Sequence, residues 1–361
     1  MLIFSAPMPL QELRIVDANL NRASEGLRLL EDIARFILDD STLTQQFKNL
    51  RHNLAEETEL LGTKLLAHRD AEHDVGASME SAGYGRASKQ PERDLPSVIM
   101  ANAKRAEESL RTIEELAKLP QISPVLHSVK FEQLRFALYI LEQQLMSRVL
   151  RQDKIKRLTG LYVILDRQIL AGRNEPEVAK QVIQGGVKVI QLRDKQGSKA
   201  ELLPIAQKLK ALCSKSDTLF IINDYLDLVL AVDADGLHIG QRDLPLPIIR
   251  RELPVDKVVG CSVNTVAQAV KAQNEGADYI AVGSMFPTTT KRDATVVGVD
   301  RLKQIRQAVS SPLVAIGGIN ENNISQVMAA GASSVAVISA VLSKEDIKGA
   351  TKILVAKMGV S

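Results

Sequence analysis

Apolar residues in the first 150 positions recur every three or four residues, and β-branched runs are missing. That spacing gathers apolar side chains on one face of a helix. Leu20, Leu27, Leu30, Ile33 and Ile37 trace one such face, with Asp17 as its expected N-cap. Leu43, Phe47, Leu50, Leu54 and Leu61 mark a second helix. A third is expected over about residues 97–119, and a fourth over about 127–150, after the helix-breaking Pro124. Residues 69–96 are polar, rich in Gly and Ser, and read as a long loop.

Near residue 155 the rhythm changes to strand, turn, helix, repeated eight times. Apolar runs at 161–165, 187–192, 219–222, 237–239, 258–263, 279–282, 313–316 and 335–338 read as buried strands. Helical stretches between them include 176–184, 199–215, 267–275, 300–310 and 322–330. Gly185-Gly186, Gly276-Ala277 and Gly331-Ala332 each stand just before a strand, where glycine supplies a left-handed helix end. The pattern predicts an α/β chain with a minimal (β/α)8 barrel over residues 155–361. An all-α, four-helix domain over residues 1–150 precedes it. An open doubly wound sheet is the competing architecture, but it rarely has eight such evenly spaced units.

The helical half repeats itself. The run Ala18-Asn19-Leu20-Asn21-Arg22-Ala23-Ser24-Glu25-Gly26-Leu27-Arg28 returns as Ala101-Asn102-Ala103-Lys104-Arg105-Ala106-Glu107-Glu108-Ser109-Leu110-Arg111. Glu31 and Ala34 match Glu114 and Ala117, while Phe47, Leu50, Arg51 and Leu54 match Phe131, Leu134, Arg135 and Leu138. A duplicated helix pair follows. The repeated polar residues admit two readings: a solvated, salt-bridged face, or an internal pocket where Arg22, Arg105, Arg51 and Arg135 converge on an anion.

Composition narrows the field. Hydrophobic content of 45% and charged content of 25% are ordinary for a soluble globular protein. A net charge of +3, 3% aromatics and no Trp argue against nucleic acid or an anionic membrane as partner. Cys213 and Cys261 fall in apolar runs and are expected to be buried free thiols. No signal-peptide pattern and no apolar run of 18 residues is present, so a cytoplasmic location is expected.

A (β/α)8 barrel carries its chemistry at the C-terminal ends of its strands. Strand two ends in Gln191-Leu192-Arg193-Asp194-Lys195, and alternation puts Gln191, Arg193 and Lys195 on one side, a set suited to a diphosphate. Strand three ends in Asn223-Asp224, and Asp243 follows strand four. The two aspartates suit Mg²⁺, which needs only one or two carboxylates beside substrate phosphates; taken alone, each reads more readily as a helix cap than as a ligand, and the surrounding motifs reverse that order. Ser262 ends strand five, and Pro287-Thr288-Thr289-Thr290-Lys291 follows strand six. Gly317-Gly318 after strand seven and Ile338-Ser339 at the end of strand eight form a backbone cradle for a phosphate. No histidine is placed as a base, and His238, inside a strand, reads as a satisfied core residue.

With these residues assembled, the region from 161 to the end closely resembles thiamine-phosphate synthase (thiamine-phosphate pyrophosphorylase). The carriers are Gln191-Leu192-Arg193-Asp194-Lys195, Ile222-Asn223-Asp224, His238-Ile239-Gly240-Gln241-Arg242-Asp243, Pro287-Thr288-Thr289-Thr290-Lys291, Gly317-Gly318-Ile319 and Ile338-Ser339-Ala340. The resemblance implies a transferase that joins hydroxymethylpyrimidine diphosphate to a thiazole phosphate, releasing diphosphate. It implies that Gln191, Arg193, Lys195, Asn223, Ser262 and Lys291 bind the pyrimidine diphosphate, and that Asp224 and Asp243 hold Mg²⁺. It also implies that Thr288 and Thr290 contact the thiazole, with Gly318, Ile338 and Ser339 on its phosphate. The implied displacement is dissociative, with Arg193, Lys195 and Lys291 stabilising the leaving group rather than an acid or base.

The first half resembles a helical domain often fused to this synthase, through Asp17-Ala18-Asn19, Asn21 to Arg28, Asp74-Val75-Gly76, and Asn102 with Arg105, Glu108 and Arg111. That domain is associated with phosphorylating hydroxymethylpyrimidine phosphate, although no Walker-type Gly-x-x-x-x-Gly-Lys loop is present. Two rivals stand beside these readings. One is a thiazole tautomerase-like barrel, against which the full diphosphate set argues. The other makes the first half a non-catalytic oligomerisation bundle.

Overall fold

A computed structural model describes residues 10–67, 94–288 and 295–359. The chain divides into two compact units, one ending at Leu150 and the other beginning at Arg151. Most of the loop expected over 69–96, including Asp74-Val75-Gly76, lies outside the described residues.

The first unit contains helices α1 (Leu10–Phe36), α2 (Ser41–Thr58), α3 (Gly62–Ala67), α4 (Leu95–Leu116) and the start of α5 (Ser128–Lys156). Asp40 and Asp94 cap α2 and α4, each accepting from backbone N–H groups of the first turn. The expected cap Asp17 is instead buried inside α1, which begins at Leu10. The apolar face continues backward through Val16 and Leu13, both buried, so the helix gains two turns of packing. Ile37 falls just past the helix end and is exposed. Where α1 meets α4 the residues are small: a Cβ on Gly26 would lie 2.9 Å from the Asn102 carbonyl and 3.2 Å from the Ala106 methyl. Leu27, Leu30, Leu54, Leu110, Phe47 and Phe131 fill the core around that contact.

The duplicated polar residues have duplicated partners. Asn19 Nδ2 donates to the Ile15 carbonyl and Asn102 Nδ2 to that of Val98, each at 2.8 Å. Glu31, buried, accepts from Arg51 at 2.9 Å and from Arg28 at 3.5 Å. Its counterpart Glu114, also buried, accepts from Arg135 at 3.0 Å and from Arg111. The four arginines of the anion-pocket reading share no common partner among the described residues. Arg51 and Arg135 face glutamates, Arg105 donates to Asn102 Oδ1 at 3.3 Å, and Arg22 is exposed. Removing one partner of such a half-buried pair leaves a charge stranded, so these triads pin helix to helix.

In the second unit eight parallel strands close a barrel in sequence order: β1 (Gly160–Asp166), β2 (Val189–Arg193), β3 (Leu219–Asn223), β4 (Gly236–Ile239), β5 (Val258–Val263), β6 (Tyr279–Gly283), β7 (Leu313–Ile316) and β8 (Ser334–Val337). Residues alternate between two cores. Leu161, Val163, Leu165, Ile190 and Leu192 face the surrounding helices, whereas Tyr162, Ile164, Val189, Leu219, Ile221 and Tyr279 fill the barrel. Gly260 on β5 is required for this filling, because a Cβ there would fall within the Tyr279 ring. Gly186, Gly276 and Gly331 adopt φ of +95°, +97° and +99°, the left-handed helix ends their spacing predicts. At the N-terminal end of the barrel, Arg151 and Arg250 both pair with buried Asp278, and Leu158 joins the interior cluster.

The two halves of the helical unit part company at Glu107. It is 7% exposed and stands where the first repeat has Ser24. Burial, then the neighbouring Glu142 carboxyl, pushes its pKa from 4.5 to about 7. A raised folded-state pKa means the folded chain holds a proton that the unfolded chain has released. The stabilising contribution is full below about pH 4.5 and is lost as pH rises through about 7. Thermal unfolding should show the wild type losing stability between about pH 5 and pH 8, with Glu107→Gln flattening that slope. Equal slopes in the two proteins would refute the raised Glu107 pKa.

Candidate active site

Inside the barrel, five polar side chains satisfy one another. Gln191 Nε2 donates to the Tyr162 hydroxyl at 2.7 Å, which lies 3.1 Å from that of Tyr279. The Tyr279 hydroxyl is 3.0 Å from His238 Nδ1, and His238 Nε2 is 2.8 Å from Ser262 Oγ. The His238 ring also stacks on Tyr279, with centroids 5.6 Å apart. Burial pushes the imidazole pKa down to about 4, so it is neutral at physiological pH. His238 is thus the satisfied core residue that its strand position suggests. Gln191, 2% exposed, has found the partner its burial demands.

The end of β2 is braced from β1. Arg193 is half-buried and pairs with Asp166, the last residue of β1 and its register neighbour. Asp166 also caps the following turn through Gln168 N–H at 3.0 Å. Asp194 is buried and points the other way, accepting from Gln196 N–H, Gly197 N–H and Arg167 at 2.8, 3.0 and 2.7 Å. Burial works against its ionisation, but these donors outweigh it and hold its pKa low. Lys195 extends over the rim to within 3.4 Å of Asp224 Oδ2.

Neither Asp224 nor Asp243 caps the helix that follows it. The helix Leu226–Val232 has Tyr225 at its N-cap, and Leu246–Glu252 has Pro245. Asp243 turns back to accept from Gly240 N–H at 2.6 Å. Asp224 sits at φ +62°, a left-handed conformation, with its N–H on the His238 carbonyl at 2.9 Å. Burial and then the charge of Asp243 raise the Asp224 pKa, while Lys195 opposes them. Two crowded carboxylates with hard oxygen donors fit Mg²⁺, which completes its shell with water and substrate phosphate. No cluster of three or more His, Cys, Asp or Glu side chains suited to a metal occurs among the described residues.

Asn223 ends β3 opposite His238 and is 7% exposed. Thr288 is half-buried in the segment after β6, whereas Thr290 and Lys291 lie outside the described residues. Gly317 and Gly318 take φ of +101° and +67° and lie against that segment. A Cβ on Gly318 would stand 2.6 Å from the Pro287 carbonyl oxygen and 2.8 Å from the Phe286 Cβ. Ile338 precedes the short helix Ser339–Leu342, so Ser339 opens it at the rim. Both cysteines are free and buried, and burial pushes the thiols of Cys213 and Cys261 up to about 12 and about 11, so neither is a nucleophile.

Three residues of this arrangement escape the linear reading: Asp166, Tyr162 and Tyr279. Asp166 carries a visible signal, since it ends the first strand as Asp224 follows the third. The tyrosines carry none, because their partners lie 29 to 117 residues away.

A closed parallel barrel with two carboxylates, a braced arginine, a lysine and a glycine-lined turn on its C-terminal rim defines an enzyme of the (β/α)8 class with a rim suited to anionic groups. Residues 161–341 match the family model described as thiamine monophosphate synthase, and residues 14–144 match the ThiD2 family. A thiamine-phosphate synthase of Synechococcus sp. (strain CC9311) is 37% identical over 357 residues, covering 98% of each chain. One from Clostridium tetani is 47% identical over 190 residues, which is 53% of this chain and 91% of that one. Among solved structures, thiamine phosphate pyrophosphorylase from Pyrococcus furiosus is 38% identical, with a TM-score of 0.53, and covers 56% of this chain and 96% of that one. The chain belongs to the thiamine monophosphate synthase family and is a transferase. No helix among the described residues is long and apolar enough to cross a membrane.

The Gly317-Gly318 turn makes a direct stability test. Gly318→Ala combines a left-handed backbone with a collision against Pro287 and Phe286. It should cost about 1–3 kcal/mol in denaturant unfolding of the full chain. An unchanged midpoint would mean that the Phe286–Pro287 segment yields without penalty.

Proposed function

We propose that the barrel condenses hydroxymethylpyrimidine diphosphate with a thiazole phosphate, giving thiamine phosphate and diphosphate, through a Mg²⁺-assisted dissociative displacement. The observation that carries this reading is the approach of Lys195 to Asp224, beside Asp243, with neither carboxylate engaged as a cap. Asp224 and Asp243 would hold Mg²⁺, which when bound offsets charge growing on the leaving diphosphate. Gln191, Arg193, Lys195, Asn223, Ser262 and Lys291 bind the pyrimidine diphosphate. Arg193 is pre-oriented by Asp166, so its guanidinium reaches the leaving group at little entropic cost. Thr288 and Thr290 contact the thiazole, and Gly318, Ile338 and Ser339 offer backbone N–H groups to its phosphate. With thiols and imidazole buried and neutral, charge stabilisation rather than proton transfer carries the rate.

The helical unit, on the strength of its ThiD2 match, phosphorylates hydroxymethylpyrimidine phosphate and so prepares the substrate of the barrel. Two incubations with Mg²⁺ and thiazole phosphate test both activities. One receives the pyrimidine diphosphate, the other the monophosphate with ATP. Both should form thiamine phosphate, and chelating Mg²⁺ should stop the first. Asp224→Ala should lower kcat of the first reaction by at least about a hundredfold, while ATP-dependent phosphorylation of the monophosphate persists. Folded protein inactive in the first tube would sink the synthase reading, and inactivity in the second alone would sink the kinase.

A further inference from the structure

The buried chain from Gln191 to Ser262 has a direction. An amide nitrogen can only donate, and a hydroxyl carries a single proton. Gln191 Nε2 gives a proton to Tyr162, whose own proton, enclosed in the barrel, finds its acceptor in Tyr279, which in turn sends the Tyr279 proton to His238 Nδ1. A neutral imidazole that accepts at Nδ1 carries its proton on Nε2 and donates it to Ser262 Oγ. Ser262 then accepts inside the barrel and keeps its own proton for whatever lies in front of it. Were the chain reversed, His238 would take the Ser262 proton, and the serine would turn lone pairs toward its ligand. That orientation repels an anion.

We infer that Gln191, Tyr162, Tyr279 and His238 form a directional relay that commits Ser262 to donate its hydroxyl proton to an anionic oxygen of the substrate, making Tyr162, Tyr279 and His238 positioning residues. The inference rests on the placement of the diphosphate at Ser262 proposed above. The relay discriminates by charge. A hydroxyl free to rotate serves donors and acceptors alike, whereas one already engaged as acceptor favours an anion. Both tyrosines are fully enclosed, so no water competes for their protons and the polarity set at Gln191 reaches Ser262 across the barrel. Gly260 keeps the path open, since any larger residue there displaces Tyr279.

Two measurements test the relay. In full-length protein labelled with ¹⁵N-histidine, the His238 resonances are those absent from His238→Gln. They should report the Nε2–H tautomer, and an Nδ1–H tautomer would overturn the direction. In steady-state kinetics with pyrimidine diphosphate, Tyr279→Phe should lower kcat/KM about five- to tenfold. On a Ser262→Ala background the same change should cost nothing further, because the hydroxyl it orients is gone. A full additional loss on that background would reduce Tyr279 to a packing residue and overturn its positioning role. If Tyr279→Phe does not fold, Tyr162→Phe takes its place in the same cycle. Ser262→Ala with unchanged kinetics would remove the diphosphate from Ser262 and the relay's function with it, while the tautomer still judges the direction alone.

Discussion

A closed barrel shuts water out of its interior, so each polar group that points inward must be satisfied by another inward group. This constraint organises the second unit. Strand alternation sends Tyr162, Gln191, His238, Ser262 and Tyr279 to the barrel interior, where they bond to one another in a chain that ends at half-buried Ser262. Their mutual bonds lock the ends of β2 and β5, on which the rim chemistry stands. Farther up the strands the inward residues become half-buried Arg193, with Asp166 beside it, and Asn223. The barrel grades from apolar, through hydrogen-bonded, to charged along its axis.

The helical unit solves a different problem, which is to hold four long helices without a sheet. Leucine and phenylalanine supply the core, and the buried glutamates Glu31 and Glu114 each tie neighbouring helices through arginines. Because the whole triad recurs with the repeat, the ion pairs belong to the architecture and precede any activity the unit carries. Glu107 breaks the correspondence with a carboxyl where the first half has a hydroxyl. The duplication is therefore symmetric in its scaffold and asymmetric in its chemistry.

Most of the barrel is legible in the chain because its signals are local. Apolar runs, glycine helix ends and strand-end polar residues each span fewer than ten positions. The start of α1 is less legible, since Leu13 and Val16 extend the apolar face past an aspartate that resembles a cap. Partners defeat a linear reading altogether. Arg51 looks free until folding sets it against Glu31, and Tyr162 looks like plain core until it meets Tyr279. Residue type and strand register mark where chemistry occurs, but which donor faces which acceptor is decided by closure of the fold.

Asp224 shows what such a position demands of the chain. Its backbone at φ +62° is one that glycine adopts freely and that a side chain makes unfavourable by about 1 kcal/mol. Asp224→Gly would relieve the backbone and, at the same stroke, delete the carboxylate proposed to hold Mg²⁺. Under that proposal, stability and catalysis pull in opposite directions at a single residue. A selection for heat tolerance alone would be drawn to this position, and under the same proposal the sturdier protein it returned would be a silent one.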